Sequence, residues 1–214
     1  MILPKYYYNG LDISFLKCYY YVTDQSFGKR RNMQKDVILD ATERLILENG
    51  ANETSISDIA KEVGISKSSL YYYFESKEEL IEAVTERYID NTQRAIDVLV
   101  ERFSARIKIE AIAKGITKHV REKKGTAKLH YLLITYGITQ DEKVAVMIRE
   151  RYRKWYKQII DALDGYKKTR YNEALAQLIL TFIDGYTLRN VLGIDIDTDL
   201  DGLIKLFKKV CPLE

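Results

Sequence analysis

Cysteine, histidine and proline are all scarce in this 214-residue chain, and each scarcity excludes something. The two cysteines, Cys18 and Cys211, stand alone near opposite ends, with no metal-ligand spacing, and such isolated thiols indicate a reducing, cytoplasmic location. The two histidines, His119 and His130, are too far apart for adjacent turns of one helix, so neither a paired metal site nor a Cys–His nucleophile is visible. A phosphate-cradling glycine loop and a serine elbow are missing as well. Together these absences argue against an enzyme, a metal and a cofactor. No apolar run is long enough for export or for crossing a bilayer, so no membrane partner is expected. Proline occurs only at Pro4 and Pro212. Almost the whole chain is thus free of the residue that breaks helices, which predicts an all-α fold.

Against that background, three helix-start signals follow one another between residues 37 and 80. Ser55 precedes Asp58 by three positions and Ser76 precedes Glu79 by three, the pattern in which a hydroxyl satisfies a free first-turn N–H and an acid favours the positive helix end. Ser66 caps the helix between them. Gly50 closes an amphipathic stretch from Val37 to Asn49, and Gly64 follows Val63 where a left-handed stop belongs. The segment from Ser55 to Lys77 therefore reads as a helix-turn-helix, and duplex DNA is the first partner to consider.

Sorting residues Lys67 to Phe74 at 100° per residue puts Leu70 and Phe74 on one side, facing a small core made with Ile38, Ala41, Leu45, Ile59 and Val63. Ser68, Ser69 and Tyr72 point outward, with Tyr71 and Tyr73 on the flanks. Two short hydroxyls and three phenols, with no acid among them, suit a helix in a major groove. Lys67 and Lys77 each follow a capping serine, where the helix dipole disfavours a cation unless a phosphate lies against the helix end. The net charge of +3 and isoelectric point near 8.6 are not those of a protein that binds DNA by charge alone. Within 33–80, five basic residues face ten acidic ones. The favourable charge is local: no acid lies between Glu62 and Glu75, and Lys29-Arg30-Arg31 precedes the first helix, where Arg30 and Arg31 on an arm can reach phosphates or a minor groove.

The residues Ile38-Leu-Asp-Ala41, Asn49-Gly50, Thr54-Ser-Ile-Ser-Asp-Ile-Ala60, Val63-Gly-Ile-Ser-Lys67, Leu70-Tyr-Tyr-Tyr-Phe74 and Ser76-Lys77-Glu78, taken with their spacing, resemble the DNA-binding domain of TetR-family transcriptional regulators. The resemblance implies DNA contacts from Ser55, Ser57, Lys67, Ser68, Ser69, Tyr71, Tyr73 and Lys77. It also implies about nine helices, a homodimer built by the last two, and a small-molecule effector. Ala51, Ile46 and Ser68-Ser69 depart from the usual pattern, the last pair bearing on which base sequence is read.

The remaining chain fits a companion domain. Helices are expected at 77–103, 107–121, 126–138, 141–163, 169–192 and 198–210, with breaks at Gly125, Asp164-Gly165 and Gly193. The resulting organisation is an extension over 1–32, a reading domain over 33–80, and an effector-binding and dimerisation domain over 81–214. Leu175, Ile179, Phe182, Ile183, Leu203 and Phe207 recur at helical spacing and are candidates for pairing across a twofold axis. A dimer is needed because one short helix reaches few bases, and two half-sites lie about 34 to 36 Å apart or a multiple of that. Phe103, Ile116, His119, Tyr131, Thr135, Tyr152, Trp155, Phe182 and Tyr186 combine apolar bulk with a few polar tips, which suits a pocket for a small, mostly hydrophobic effector: a fatty acyl thioester, a drug-like molecule or an aromatic metabolite. The alternative is a helix-turn-helix regulator controlled by a protein partner without a small ligand. Residues 1–32 carry Tyr6-Tyr-Tyr8 and Cys18-Tyr-Tyr-Tyr21 without a helical period, which reads as a loosely held extension or as a start assigned upstream of Met33.

Overall fold

The computed structural model describes residues 33–104 and 121–194, together with positions 7–8, 11–12, 114–115, 117–118, 202 and 205. Apart from a two-residue antiparallel ladder, β1 (Tyr7–Tyr8) with β2 (Leu11–Asp12), the regular structure among these residues is helical. Helix α1 covers residues 33–49, α2 Ile56–Val63, α3 Lys67–Tyr71, α4 Lys77–Ser104, α5 Lys124–Thr139, α6 Glu142–Tyr166 and α7 Asn172–Leu192. Positions 114–115, 117–118, 121–122, 202 and 205 are also helical. The helices expected at 107–121 and 198–210 lie largely outside the described residues.

The stop signals act as their chemistry requires at three glycines. Gly50, Gly64 and Gly193 take φ of 88°, 75° and 69°, the left-handed region that costs a residue with a Cβ. After Gly64, the N–H of Ile65 donates to the carbonyl of Ala60 at 2.9 Å and reverses the chain between α2 and α3. Gly125 and Gly165, by contrast, lie inside α5 and α6, so they do not break helices as the sequence suggested. Glycine costs about 1 kcal/mol in a helix, which these longer helices absorb through packing. Helix α7 begins at Asn172 rather than Thr169, because the buried Asn172 is held in the α6–α7 turn: its Nδ2 donates to Asp164 Oδ1 at 2.6 Å and to the carbonyl of Lys167 at 3.0 Å.

Three apolar clusters order the molecule. The first joins Ile38 of α1, Ile59 and Ala60 of α2, Leu70 and Phe74 around α3, and Leu80 of α4. The second joins Ile46 and Ala51 to Ile81, Val84 and Ile89 of α4, Leu129 and Leu133 of α5 and Val144 of α6. The third packs Ile96 of α4 against Trp155, Ile159 and Leu163 of α6 and Leu175, Ala176 and Leu180 of α7. Helix α4 contributes to all three. Its 28 residues span about 42 Å at 1.5 Å per residue, and the expected boundary at residue 80/81 falls within it. Arg87 adds a polar tie from α4 back to α1, donating to Asp40 at 2.6 Å and to Glu43 at 2.9 Å.

Candidate functional site

The reading head is assembled from caps. Ser55 Oγ accepts from the N–H of Asp58 at 3.2 Å, Ser66 Oγ from the N–H of Ser69 at 3.0 Å, and Ser76 Oγ from the N–H of Glu79 at 3.0 Å. Each hydroxyl satisfies a first-turn donor that would otherwise need water. The Ser66 hydroxyl also lies 2.8 Å from those of Ser68 and Ser69, so three serines form one fan at the start of α3. Ser55 Oγ is engaged as well with the Asp58 carboxylate at 2.5 Å. Helix α3 is shorter than expected and ends at Tyr71, Tyr72 and Tyr73 forming a turn. The turn lets Phe74 drop into the first cluster, where Tyr73 joins it part-buried.

On the outer face, Lys67, Ser68 and Ser69 are exposed, as are Tyr71 at 50% and Tyr72 at 67%. Tyr73 meets Tyr72 edge to face with ring centres 5.2 Å apart. Lys77 Nζ donates to the carbonyl of Asn52 at 2.6 Å, so this lysine is oriented by the α1–α2 loop rather than left swinging. Ser57 is half-buried on α2. Of the expected contacts, Arg30 and Arg31 lie outside the described residues; the other nine fall on α2, α3, the turn after it and the start of α4.

Residues 38–84 match the family model described as bacterial regulatory proteins, tetR family. A putative TetR-family transcriptional regulator from Mesorhizobium loti superposes with a TM-score of 0.67 over 85% of this chain and 98% of its own, at 17% identity. Over residues 38–84 the chain is thus similar to the tetR family of bacterial regulatory proteins. Among curated relatives, the chain is 30% identical over 131 residues to the fatty acid metabolism regulator protein of Bacillus subtilis, covering 60% of the chain and 63% of that protein. It is 26% identical over 156 residues to the biofilm operon icaADBC negative transcriptional regulator of Staphylococcus aureus, covering 72% and 83%. Across four of the curated relatives the matched stretch spans between 31% and 63% of their length.

The expected pocket residues separate in the structure. Tyr131 and Tyr152 are half-buried and come together beside α7: the Tyr131 hydroxyl donates to the carbonyl of Asp184 at 2.7 Å and the Tyr152 hydroxyl to its carboxylate at 2.9 Å. Phe182 and Tyr186 stack on the other flank of α7, where Arg121 donates to the Tyr186 hydroxyl at 3.3 Å. Trp155 belongs to the third cluster, its indole N–H donating to Gln93 at 3.1 Å. Thr135 is corrected: its side chain is exposed on α5. Ile116, His119 and the Phe103 side chain lie outside the described residues. Among the dimer candidates, Leu175 is corrected too, because at 2% exposure it is core of its own chain, and Ile179 and Ile183 pack part-buried on the same cluster. Leu203 and Phe207 lie outside the described residues.

Sequence reasoning passed over a buried relay. The Tyr88 hydroxyl lies 2.8 Å from His130 Nδ1, and His130 Nε2 lies 3.0 Å from the Tyr152 hydroxyl. Because Tyr152 donates to Asp184, its oxygen accepts from His130, which assigns the Nε2–H tautomer and makes Tyr88 the donor to Nδ1. Burial pushes His130 down from 6.5 to about 4 and holds it neutral. Burial likewise pushes Tyr88 and Tyr131 up to about 12 and raises Asp184 above its ordinary range. One signal was available: Asp184 is the sole acid between Leu175 and Leu192, a stretch rich in apolar residues.

Proposed function

We propose that this chain is a ligand-responsive transcriptional regulator, a repressor that binds a palindromic operator as a homodimer and is released by a small, mostly hydrophobic effector in the cytoplasm. The observation that carries the reading is the capped α2–α3 pair with its exposed, acid-free face of Lys67, Ser68, Ser69, Tyr71 and Tyr72. Such a face can enter a major groove, where hydroxyls and phenols meet base edges and phosphates and Lys67 pairs with a phosphate at the helix start. The name of the S. aureus relative ties it to negative regulation and that of the B. subtilis relative to fatty acid metabolism, which favours repression and an apolar effector.

The supporting division is a reading domain over 33–80, an effector and dimer domain over 81–214, and an extension over 1–32. Dimerisation is supported by α7, which is exposed along Ala174, Leu178, Thr181, Gly185, Leu188 and Leu192, an uncharged stripe spaced four and three residues apart. A helix of that kind needs cover on both faces, and its inner face is already spent on the third cluster. Selection of bound genomic fragments should recover inverted half-sites with centres one helical turn, or a multiple of one, apart. Lys67→Ala should lower the slope of log affinity against log salt by about 1. Equal affinity for random duplex, or an unchanged slope, overturns the reading.

A further inference from the structure

The Tyr88–His130–Tyr152–Asp184 relay is polarised, and among the described residues it ends on a charge without a counter-charge. Its inner members, Tyr88 and His130, are buried, whereas Tyr131, Tyr152 and Asp184 are only half-buried, so the relay runs from the interior to a reachable mouth between α5, α6 and α7. Every polar group met along the way is neutral. Tyr152 supplies one neutral hydrogen bond to the carboxylate, and His130, the nearest base in the relay, is spent as a neutral bridge between two phenols. No lysine or arginine pairs with Asp184 among the described residues. Burial raises the carboxylate with no cation to lower it. A carboxylate withdrawn from water and given a single neutral donor is under-compensated, and it stands at the edge of an aromatic cluster: the Tyr131 and Tyr152 hydroxyls point at Asp184, while the ring centres of His130 and Tyr131 lie 5.1 Å apart, those of His130 and Tyr152 6.0 Å and those of Tyr152 and Trp155 5.2 Å.

We infer that the mouth formed by Asp184, Tyr131 and Tyr152 is the recognition point for an organic cation, an amphipathic amine or quaternary ammonium whose charge pairs with the Asp184 carboxylate and whose apolar body lies against the tyrosine rings. This narrows the effector of the proposed function to one charge class and rests on that reading. A cation there holds Asp184 ionised, which keeps Tyr152 as donor and preserves the order of the relay back to Tyr88. Tyr88 follows Arg87, the residue that ties α4 to α1, on the same helix. An anionic ligand meets the opposite situation, since it must approach a like charge in a part-desolvated setting.

The test uses the full chain and two ions of the same shape and opposite sign, tetraphenylphosphonium and tetraphenylborate, with phenyltrimethylammonium as a smaller cation. Thermal shift and equilibrium dialysis should show both cations binding and the anion not binding. Asp184→Asn keeps an acceptor for the Tyr152 hydroxyl and removes only charge; it should weaken the cations by at least about tenfold while leaving operator binding intact. Tyr131→Leu, which removes a ring face without touching the carboxylate, should weaken them by a smaller factor. Undiminished cation binding by Asp184→Asn, preference for the borate, or no binding of either cation overturns the assignment. The effector reading fails separately, when no ligand of any charge releases operator DNA.

Discussion

At the scale of single residues, neighbours in sequence carry opposite duties. Tyr72 is exposed at 67% while Tyr73 packs part-buried on the cluster containing Phe74, although both follow the same short helix. Tyr73→Ala should therefore cost about 2 kcal/mol of unfolding free energy in urea titration, whereas Tyr72→Ala should leave stability within about 0.5 kcal/mol and weaken operator binding. His130 makes a second residue-scale prediction, through pH. Its folded-state value of about 4 lies below the 6.5 of the unfolded chain. Above pH 6.5 neither state binds the proton and the contribution to stability is intact. As pH falls from 6.5 towards 4, the unfolded state takes up a proton that the folded state refuses, and up to about 3 kcal/mol is lost. Asp184 acts in the opposite sense, because its raised folded value favours the folded state at low pH and that contribution disappears as pH rises through it. The tyrosines facing the pair, Tyr88, Tyr131 and Tyr152, titrate far above this window. Denaturant titrations across pH 4 to 7 should show a loss in the wild type that His130→Gln does not show; parallel curves would refute the assignment.

At the scale of elements, one helix organises the rest, and one contact sets how two others meet. A Cβ added at Gly137 of α5 comes within 2.9 Å of the Ala145 amide nitrogen and 3.1 Å of its Cα, backbone atoms of α6 that have no rotamer to escape into. Gly137→Ala should push α5 and α6 apart at a cost of about 1–3 kcal/mol, read as a lower denaturation midpoint. Gly125, at the start of the same helix, has no atom within 4 Å of such a Cβ, so Gly125→Ala should cost nothing and serves as the control. Helix existence was legible from capping serines, terminal glycines and apolar spacing, since these are local signals. The glycines that failed as stops, Gly125 and Gly165, failed because a stop requires the αL backbone, and only surrounding contacts decide whether the chain takes it.

At the scale of the whole molecule, the second cluster joins the reading head to the rest. Ile46 and Ala51 share a core with Leu129, Leu133 and Val144, and Lys128 Nζ donates to the carbonyl of Leu47 at 2.5 Å. The head and the companion helices therefore meet through packed side chains and not through a loose linker. The outer stripe of α7 makes the prediction at this scale. Leu188, 42% exposed, should tolerate Leu188→Glu in a monomer but abolish self-association if the stripe pairs with its twofold mate. Light scattering after size exclusion should give half the wild-type mass for that variant, together with loss of operator affinity. An unchanged mass places the dimer elsewhere.

Local chemistry by itself determined the helical class, the positions of α1 to α7 within a few residues, and the face of α3 turned to solvent. Caps, left-handed glycines and 3.6-residue spacing act over a turn or two, so they can be read along the chain. Only the tertiary structure decided which side of an apolar helix is inner and which is outer. Leu175 and Leu178 look alike in sequence, yet the first is buried at 2% and the second exposed at 51%. It also decided the relay, whose four members stand on α4, α5, α6 and α7 and are separated by up to 96 positions of chain. Hydrogen bonds between helices depend on the packing of the helices themselves, and a sequence records the partners without recording that they meet.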